Sequence, residues 1–311
     1  MEYITLILFL ASCFFLVASG GWLIKLLTKI ASYFRLSEFV VAFIIMAFST
    51  SLPELFVGID SAISGRPSLA LGTVIGSNIV DLTLVIGIAA LLGRGIKIKS
   101  KYIKEDSIFM FLLALAPIIL MLDKTLSWID GLVLVAIFII YSRYLIKERR
   151  AFKKEFDKKN KNYIVITTIF FVLSLGVLFL SAHFVVKYAI QLAGELVLPP
   201  LLIGLFLVAI GTSLPELVFE SRAVLAKKSE LAVGDMMGSV VCNSTLVLGV
   251  TAILSPITTV SFSLFLTSAV FMLIVAFLFM LLIRRKKGLS VTMAILLILL
   301  YIFFILFEFV K

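Results

Sequence analysis

A chain of 311 residues that is 62% hydrophobic and 15% charged, with a mean hydropathy of +1.21, falls outside the soluble globular class, in which roughly a quarter of residues are charged. Its net charge of +10 invites a nucleic-acid reading, but the basic residues cluster between apolar runs, as they do in loops that face anionic lipid headgroups. Cys13 and Cys242 both sit inside apolar runs as small hydrophobes, which argues against a disulfide framework or a metal cluster.

Apolar runs near the ~20 residues that span a bilayer recur along the whole chain. They lie at about 4–27, 39–64, 68–92, 105–122 and 128–147, then at 163–192, 198–226, 230–254, 260–283 and 289–310. No run shows the alternation of a barrel strand, so the expectation is an all-α integral membrane protein with ten transmembrane helices. The first run has Glu2 in place of a basic start and is too long for a signal peptide, so it reads as a retained helix. All but Arg66, Lys124, Lys187 and Lys311 of the 28 basic residues fall in the alternate loops 1–2, 3–4, 5–6, 7–8 and 9–10. The positive-inside rule puts those loops in the cytoplasm and both the N-terminus and the C-terminus outside the cell membrane.

The second run contains Thr50-Ser51-Leu52-Pro53-Glu54-Leu55, and the seventh repeats it letter for letter as Thr212-Ser213-Leu214-Pro215-Glu216-Leu217. The copies are 162 residues apart (212 − 50), and the same offset aligns Gly72 with Gly234, Gly76-Ser77 with Gly238-Ser239, Thr83-Leu84-Val85 with Thr245-Leu246-Val247, and Gly87 with Gly249. Residues 1–147 thus form a first five-helix repeat with its motif at about 47–92. Residues 163–311 form a second, with its motif at about 209–254, and a basic cytoplasmic linker, 148–162, joins them. Because five is odd, the second repeat enters the membrane from the opposite side, and two inverted repeats suit alternating access.

Each motif carries the chemistry of a hard-cation site. Pro53 and Pro215 withhold a donor from the carbonyls of Ser49 and Gly211, beside Thr50 and Thr212. Glu54 and Glu216 follow within a turn, and a carboxylate in a membrane helix costs on the order of 3 kcal/mol or more. Carboxylate and carbonyl oxygens without soft ligands suit Ca2+ and its like. On the next helix of each repeat, Ser77 and Asp81, or Ser239 and Asn243, share one face at i, i+4 spacing, and the G-x-x-x-G spacing permits close helix approach. If Glu54 and Glu216 approach to about 5 Å, their repulsion is about 3 kcal/mol at an effective dielectric of 20, so the site must hold cations or take up protons.

These motifs resemble the two alpha repeats of the calcium/cation antiporter superfamily, particularly the sodium/calcium exchanger family. The resemblance implies that Glu54, Glu216 and the backbone of Thr50 and Thr212 bind Ca2+. It implies sodium ligation by Ser51, Ser77, Asp81, Ser213, Ser239 and Asn243, with backbone at Ala47 and Ala209, and first and sixth helices that slide. The chain departs from the pattern in three places. Asp81 and Asn243 stand in exchanged positions relative to the Asn-then-Asp order of archaeal-type exchangers, Ser49 replaces a glycine, and Thr73 and Asp235 stand where Asn is common.

The expected function is a secondary antiporter exchanging Ca2+ for Na+. The alternative is the same fold coupled to H+ or K+, or carrying another divalent cation. A passive channel and an intramembrane protease are the readings of other classes, and neither explains a duplicated acid-and-proline cage. No enzyme activity, cofactor, nucleic acid or obligate protein partner is expected; inorganic cations and the bilayer are. Among lesser features, Asp235 is expected to line the inner access path and Asp60 to face the outer vestibule. Glu220 is expected to pair locally with Arg222, and His183 to serve packing.

Overall fold

Apolarity and length decide which elements can stand in a bilayer. The computed structural model describes residues 2–33, 47–98, 100–148, 161–258, 261–285 and 288–310. In chain order the helices are α1 (Glu2–Tyr33), α2 (Ala47–Thr50), α3 (Leu52–Ile63), α4 (Pro67–Val80), α5 (Ile86–Leu92), α6 (Lys101–Leu120), α7 (Trp128–Glu148) and α8 (Lys161–Glu195). They continue as α9 (Pro200–Ile203), α10 (Ala209–Thr212), α11 (Leu214–Leu225), α12 (Ser229–Cys242), α13 (Leu248–Leu254), α14 (Phe262–Arg284) and α15 (Val291–Val310). Three π-helical turns, Asp81–Val85, Gly204–Val208 and Asn243–Val247, run without a break into the α-helices on either side. Among the described residues seven helices are long and apolar enough to cross a membrane, and the pair Pro200–Thr212 and Leu214–Leu225, bent by 40°, makes an eighth. The start of the expected second span, 39–46, and most of the expected linker, 149–160, lie outside the described residues.

The elements recur at the offset of the sequence repeat. Adding 162 to the bounds of α2, α3, α4, the Asp81–Val85 turn and α5 gives the bounds of α10, α11, α12, the Asn243–Val247 turn and α13. The helix breaks also match. Ser51 and Ser213 adopt φ −80°, ψ 1° and φ −82°, ψ 2°, two residues before the prolines in the first turns of α3 and α11. Each serine N–H bonds back to an alanine carbonyl, Ser51 to Ala47 at 3.1 Å and Ser213 to Ala209 at 3.0 Å. Two of the three π turns share a local feature: Thr83 donates its hydroxyl to the Ile79 carbonyl and Thr245 to that of Val241, back-bonds that bend a helix.

Burial is the reverse of a soluble fold's. The stretches Pro67–Leu92 and Ser229–Leu254 are 83% and 78% buried, whereas that of α7 is 22% buried. The most enclosed helices carry the polar residues, and outer helices present Phe14, Ile140, Leu173, Ile274 and Leu306 at the surface, as a lipid-facing wall requires. The central helices touch backbone to backbone. A Cβ on Gly72 would meet the Leu201 carbonyl oxygen at 2.1 Å, and one on Gly76 the Leu205 oxygen at 2.1 Å, so the expected close approach is made against α9 and the π turn after it.

The two halves are clipped together by short β pairs. Strands β1 (Thr125–Leu126) and β2 (Ile257–Thr258) pair antiparallel, and an isolated bridge joins Ile96 to Leu289. The long helices α1 and α8 pack along each other in a second apolar cluster, around Phe9, Leu16, Leu178, Val185 and Ala189, which also takes in Leu52 and Val57 of α3, Leu69 of α4 and Ile203 of α9.

Candidate functional site

The polar layer is built where the helix breaks of α2–α3 and α10–α11 meet α4 and α12. Two hydroxyl pairs cross between the halves. Thr50 Oγ1 lies 3.0 Å from Ser239 Oγ, and Ser77 Oγ lies 3.1 Å from Thr212 Oγ1. The offset of 162 turns one pair into the other, so each half lends its threonine to the other half's serine. Ser77 also lies 3.2 Å from Glu54 Oε1 as a hydroxyl donor.

Thr50, Ser51, Glu54, Ser77, Asp81, Thr212, Ser213, Glu216, Ser239 and Asn243 are all buried, none more than 1% exposed. Both oxygens of Glu216 and Oε2 of Glu54 have no hydrogen-bond donor, and the Ser213 hydroxyl lies beside Asp81 without completing a well-formed hydrogen bond to either of its oxygens. The charge of Glu54 acts on both Asp81 and Glu216, and that of Asp81 on Glu216, so the three expected carboxylates share one electrostatic environment. A buried carboxylate without a donor costs several kcal/mol, and three together add mutual repulsion. This layer therefore calls for positive charge.

The symmetry is incomplete in two ways. Ser77 bonds Glu54, but Glu216 receives no matching bond from Ser239. Asn243 donates to Asn78 Oδ1 at 3.3 Å, whereas its mate Asp81 completes no well-formed hydrogen bond. The expected backbone ligands Ala47 and Ala209 are already engaged. Each carbonyl accepts a serine N–H and, at 3.2 Å, its own half's threonine hydroxyl, so ion binding there requires those hydroxyls to turn away. Among the described residues no three His, Cys, Asp or Glu side chains converge closely enough to hold a metal by themselves. A cation in this layer must draw part of its shell from hydroxyl and carbonyl oxygens.

Sequence reasoning missed Asn78. Its amide donates to Ser244 Oγ at 2.9 Å and its carbonyl accepts from Asn243, tying α4 to the second half's π turn. The repeat hid it, because its mate is Val240. Other expectations need correction. Glu220 makes no ion pair with Arg222: it is fully buried with both oxygens undonated, while Arg222, two residues on, is exposed. Asp235, expected to line the inner access path, is fully buried too. Asp60 is 5% exposed, and His183 Nδ1 lies 2.9 Å from its Oδ1, which fastens α8 to α3.

The statistical profile of the family described as "Sodium/calcium exchanger protein" matches residues 4–147 and 166–310, nearly the whole chain. The chain belongs to the sodium/calcium exchanger family. Among its relatives, the uncharacterized membrane protein MJ0091 of Methanocaldococcus jannaschii is 31% identical over 231 residues, 74% of this chain and 76% of that protein. The sodium/calcium exchanger MaX1 of Methanosarcina acetivorans is 28% identical over 313 residues, 87% of this chain and 89% of that protein. The solved structure of the sodium-calcium exchanger NCX_Mj soaked with 10 mM Na+ and zero Ca2+ superposes with a TM-score of 0.71 at 28% identity, over 98% of this chain and 99% of that one. This chain is therefore a multi-pass integral membrane protein of a cation antiporter family, and its buried carboxylate layer sits in a transporter fold.

Proposed function

We propose that this protein exchanges Ca2+ for Na+ across the cell membrane by alternating access at one midplane cage. The observation that carries the reading is the pair of crossed hydroxyl contacts, Thr50 to Ser239 and Ser77 to Thr212, around carboxylates that lack donors. Glu54 and Glu216, with the backbone of Thr50 and Thr212, hold Ca2+. Asp81, Asn243, Ser51, Ser77, Ser213 and Ser239 complete sites for Na+, and Ala47 and Ala209 join once their threonines rotate. The ionised cage carries three negative charges from Glu54, Glu216 and Asp81, which three Na+ would neutralise and one Ca2+ would not. Unequal loading of that kind favours reorientation of the neutralised state.

The topology that goes with this reading is ten spans in two inverted repeats, with both termini outside. It is supported by the recurrence of element bounds and by β pairs that join the halves in two separate places. The packing of α1 along α8 supports their sliding as a unit to switch access.

Uptake of 45Ca2+ by proteoliposomes, driven by an outward Na+ gradient, tests the function. No uptake from folded native protein would remove the calcium assignment. Coupling to H+ or K+ is the second reading, favoured by Asp81, a buried acid with no well-formed hydrogen bond. Exchange that persists at zero Na+ across a pH or K+ gradient would establish it.

A further inference from the structure

One turn away from the cage lies a second acidic pair that the cage does not use. Glu220 follows Glu216 by four residues on α11, and Asp235 precedes Ser239 by four on α12. Each therefore continues the helix face that lines the cage, about 6 Å further along the axis. The two helices form a hairpin closed by Ala226, Lys227 and Lys228. Counting equally in both directions from Lys227 sets Glu220 opposite Gly234, the neighbour of Asp235, and α11 and α12 pack along each other.

Three observations separate this pair from an ordinary acidic surface. Glu220 and Asp235 are both 0% exposed, and all four of their carboxylate oxygens lack a donor. The charge of Asp235 acts on Glu220, and so does that of Asp81, whose own two oxygens are buried without a well-formed hydrogen bond. Lastly, the pair exists in one half only. The mates at the offset of 162 are Gly58 and Thr73. A Cβ on Gly58 would meet Thr251 Oγ1 at 2.6 Å, and the Thr73 hydroxyl is spent on the Leu69 carbonyl at 2.9 Å. At the equivalent position on the opposite side of the cage the first half offers no acid, whereas the second half presents two carboxylates.

We propose that Glu220 and Asp235 form a second cation site, a staging position for a divalent ion on the cytoplasmic side of the cage. Two carboxylates balance one divalent charge and supply up to four hard oxygen ligands, and water and backbone carbonyls complete the shell. Placement on the cytoplasmic side rests on the topology proposed above. An ion held there is one helical turn from Glu216 and Ser239 and enters the cage when the inner path opens.

Equilibrium dialysis of 45Ca2+ against the full chain in lipid nanodiscs at zero Na+ tests the site, because binding does not depend on transport. Native protein is expected to hold about two Ca2+ per chain, and both E54Q/E216Q and E220Q/D235N about one each. If E220Q/D235N binds as many ions as native protein, the inner site is overturned, whatever the cage does. If E54Q/E216Q keeps its ion and E220Q/D235N binds none, the inner site stands and the cage reading fails. Should the double variant not give a monodisperse peak on gel filtration, D235N alone serves: an unchanged count overturns the proposal, and loss of about one ion supports it.

Discussion

Replacing Glu216 by Gln separates stability from ion binding, because the account predicts that the two move in opposite directions. Glu216 is fully buried, neither of its oxygens has a donor, and the charges of Glu54, Asp81 and Asp235 all act on it. At separations of about 5 Å and an effective dielectric of 20, each such unit interaction is about 3 kcal/mol. Without cations, E216Q loses repulsion, and the variant is expected to melt above the native protein in cation-free detergent buffer. With cations, it loses a ligand and a charge, and about 3 kcal/mol or more corresponds to at least a hundredfold weaker Ca2+ binding. A thermal melt with and without Ca2+, alongside 45Ca2+ uptake in liposomes, reads both quantities. Lower stability in cation-free buffer, or retained Ca2+-dependent exchange, would refute the reasoning.

Further expectations rest on separate contacts. Gly72→Ala drives a methyl into the Leu201 carbonyl at 2.1 Å and should lower stability by about 1–3 kcal/mol, read by melting in detergent. Asn78→Leu removes the partner of both Ser244 and Asn243; it should cost about 1–3 kcal/mol and reduce exchange, and an unchanged melt and rate would exclude Asn78 from the polar layer. A double-mutant cycle on Asp60→Asn and His183→Gln should return a coupling of about 1 kcal/mol or less, because the imidazole is half-exposed. In sealed, oriented vesicles, K124C should react with an impermeant thiol reagent from outside and K228C from inside. Cys13 and Cys242 are buried and should leave little background.

Much of this architecture was legible because the chain states it twice. A hexapeptide recurring at a fixed offset located the helix breaks, the threonines and the two glutamates, and the bounds of α2–α5 and α10–α13 keep that offset to the residue. The same logic failed where the halves differ. Asn78 has Val240 as its mate, so a comparison of repeats passes over it, although an amide directly after Ser77 in an apolar helix is itself a signal. Proximity in sequence pairs Glu220 with Arg222, but residues two apart point to different faces of a helix, and only packing reveals that Glu220 points inward. The Asp60–His183 contact spans 123 residues, and no local pattern announces it. The two-residue strands that clip the halves are likewise too short to leave a periodic signal.

The central claim is that the two halves share one cation between Glu54 and Glu216. Anomalous diffraction from crystals soaked in Sr2+, repeated with increasing Na+, tests it most directly. The account predicts a peak bounded by Glu54, Glu216, Thr50 and Thr212 that fades as Na+ rises. No peak between the two glutamates, or a peak there that ignores Na+, would contradict it.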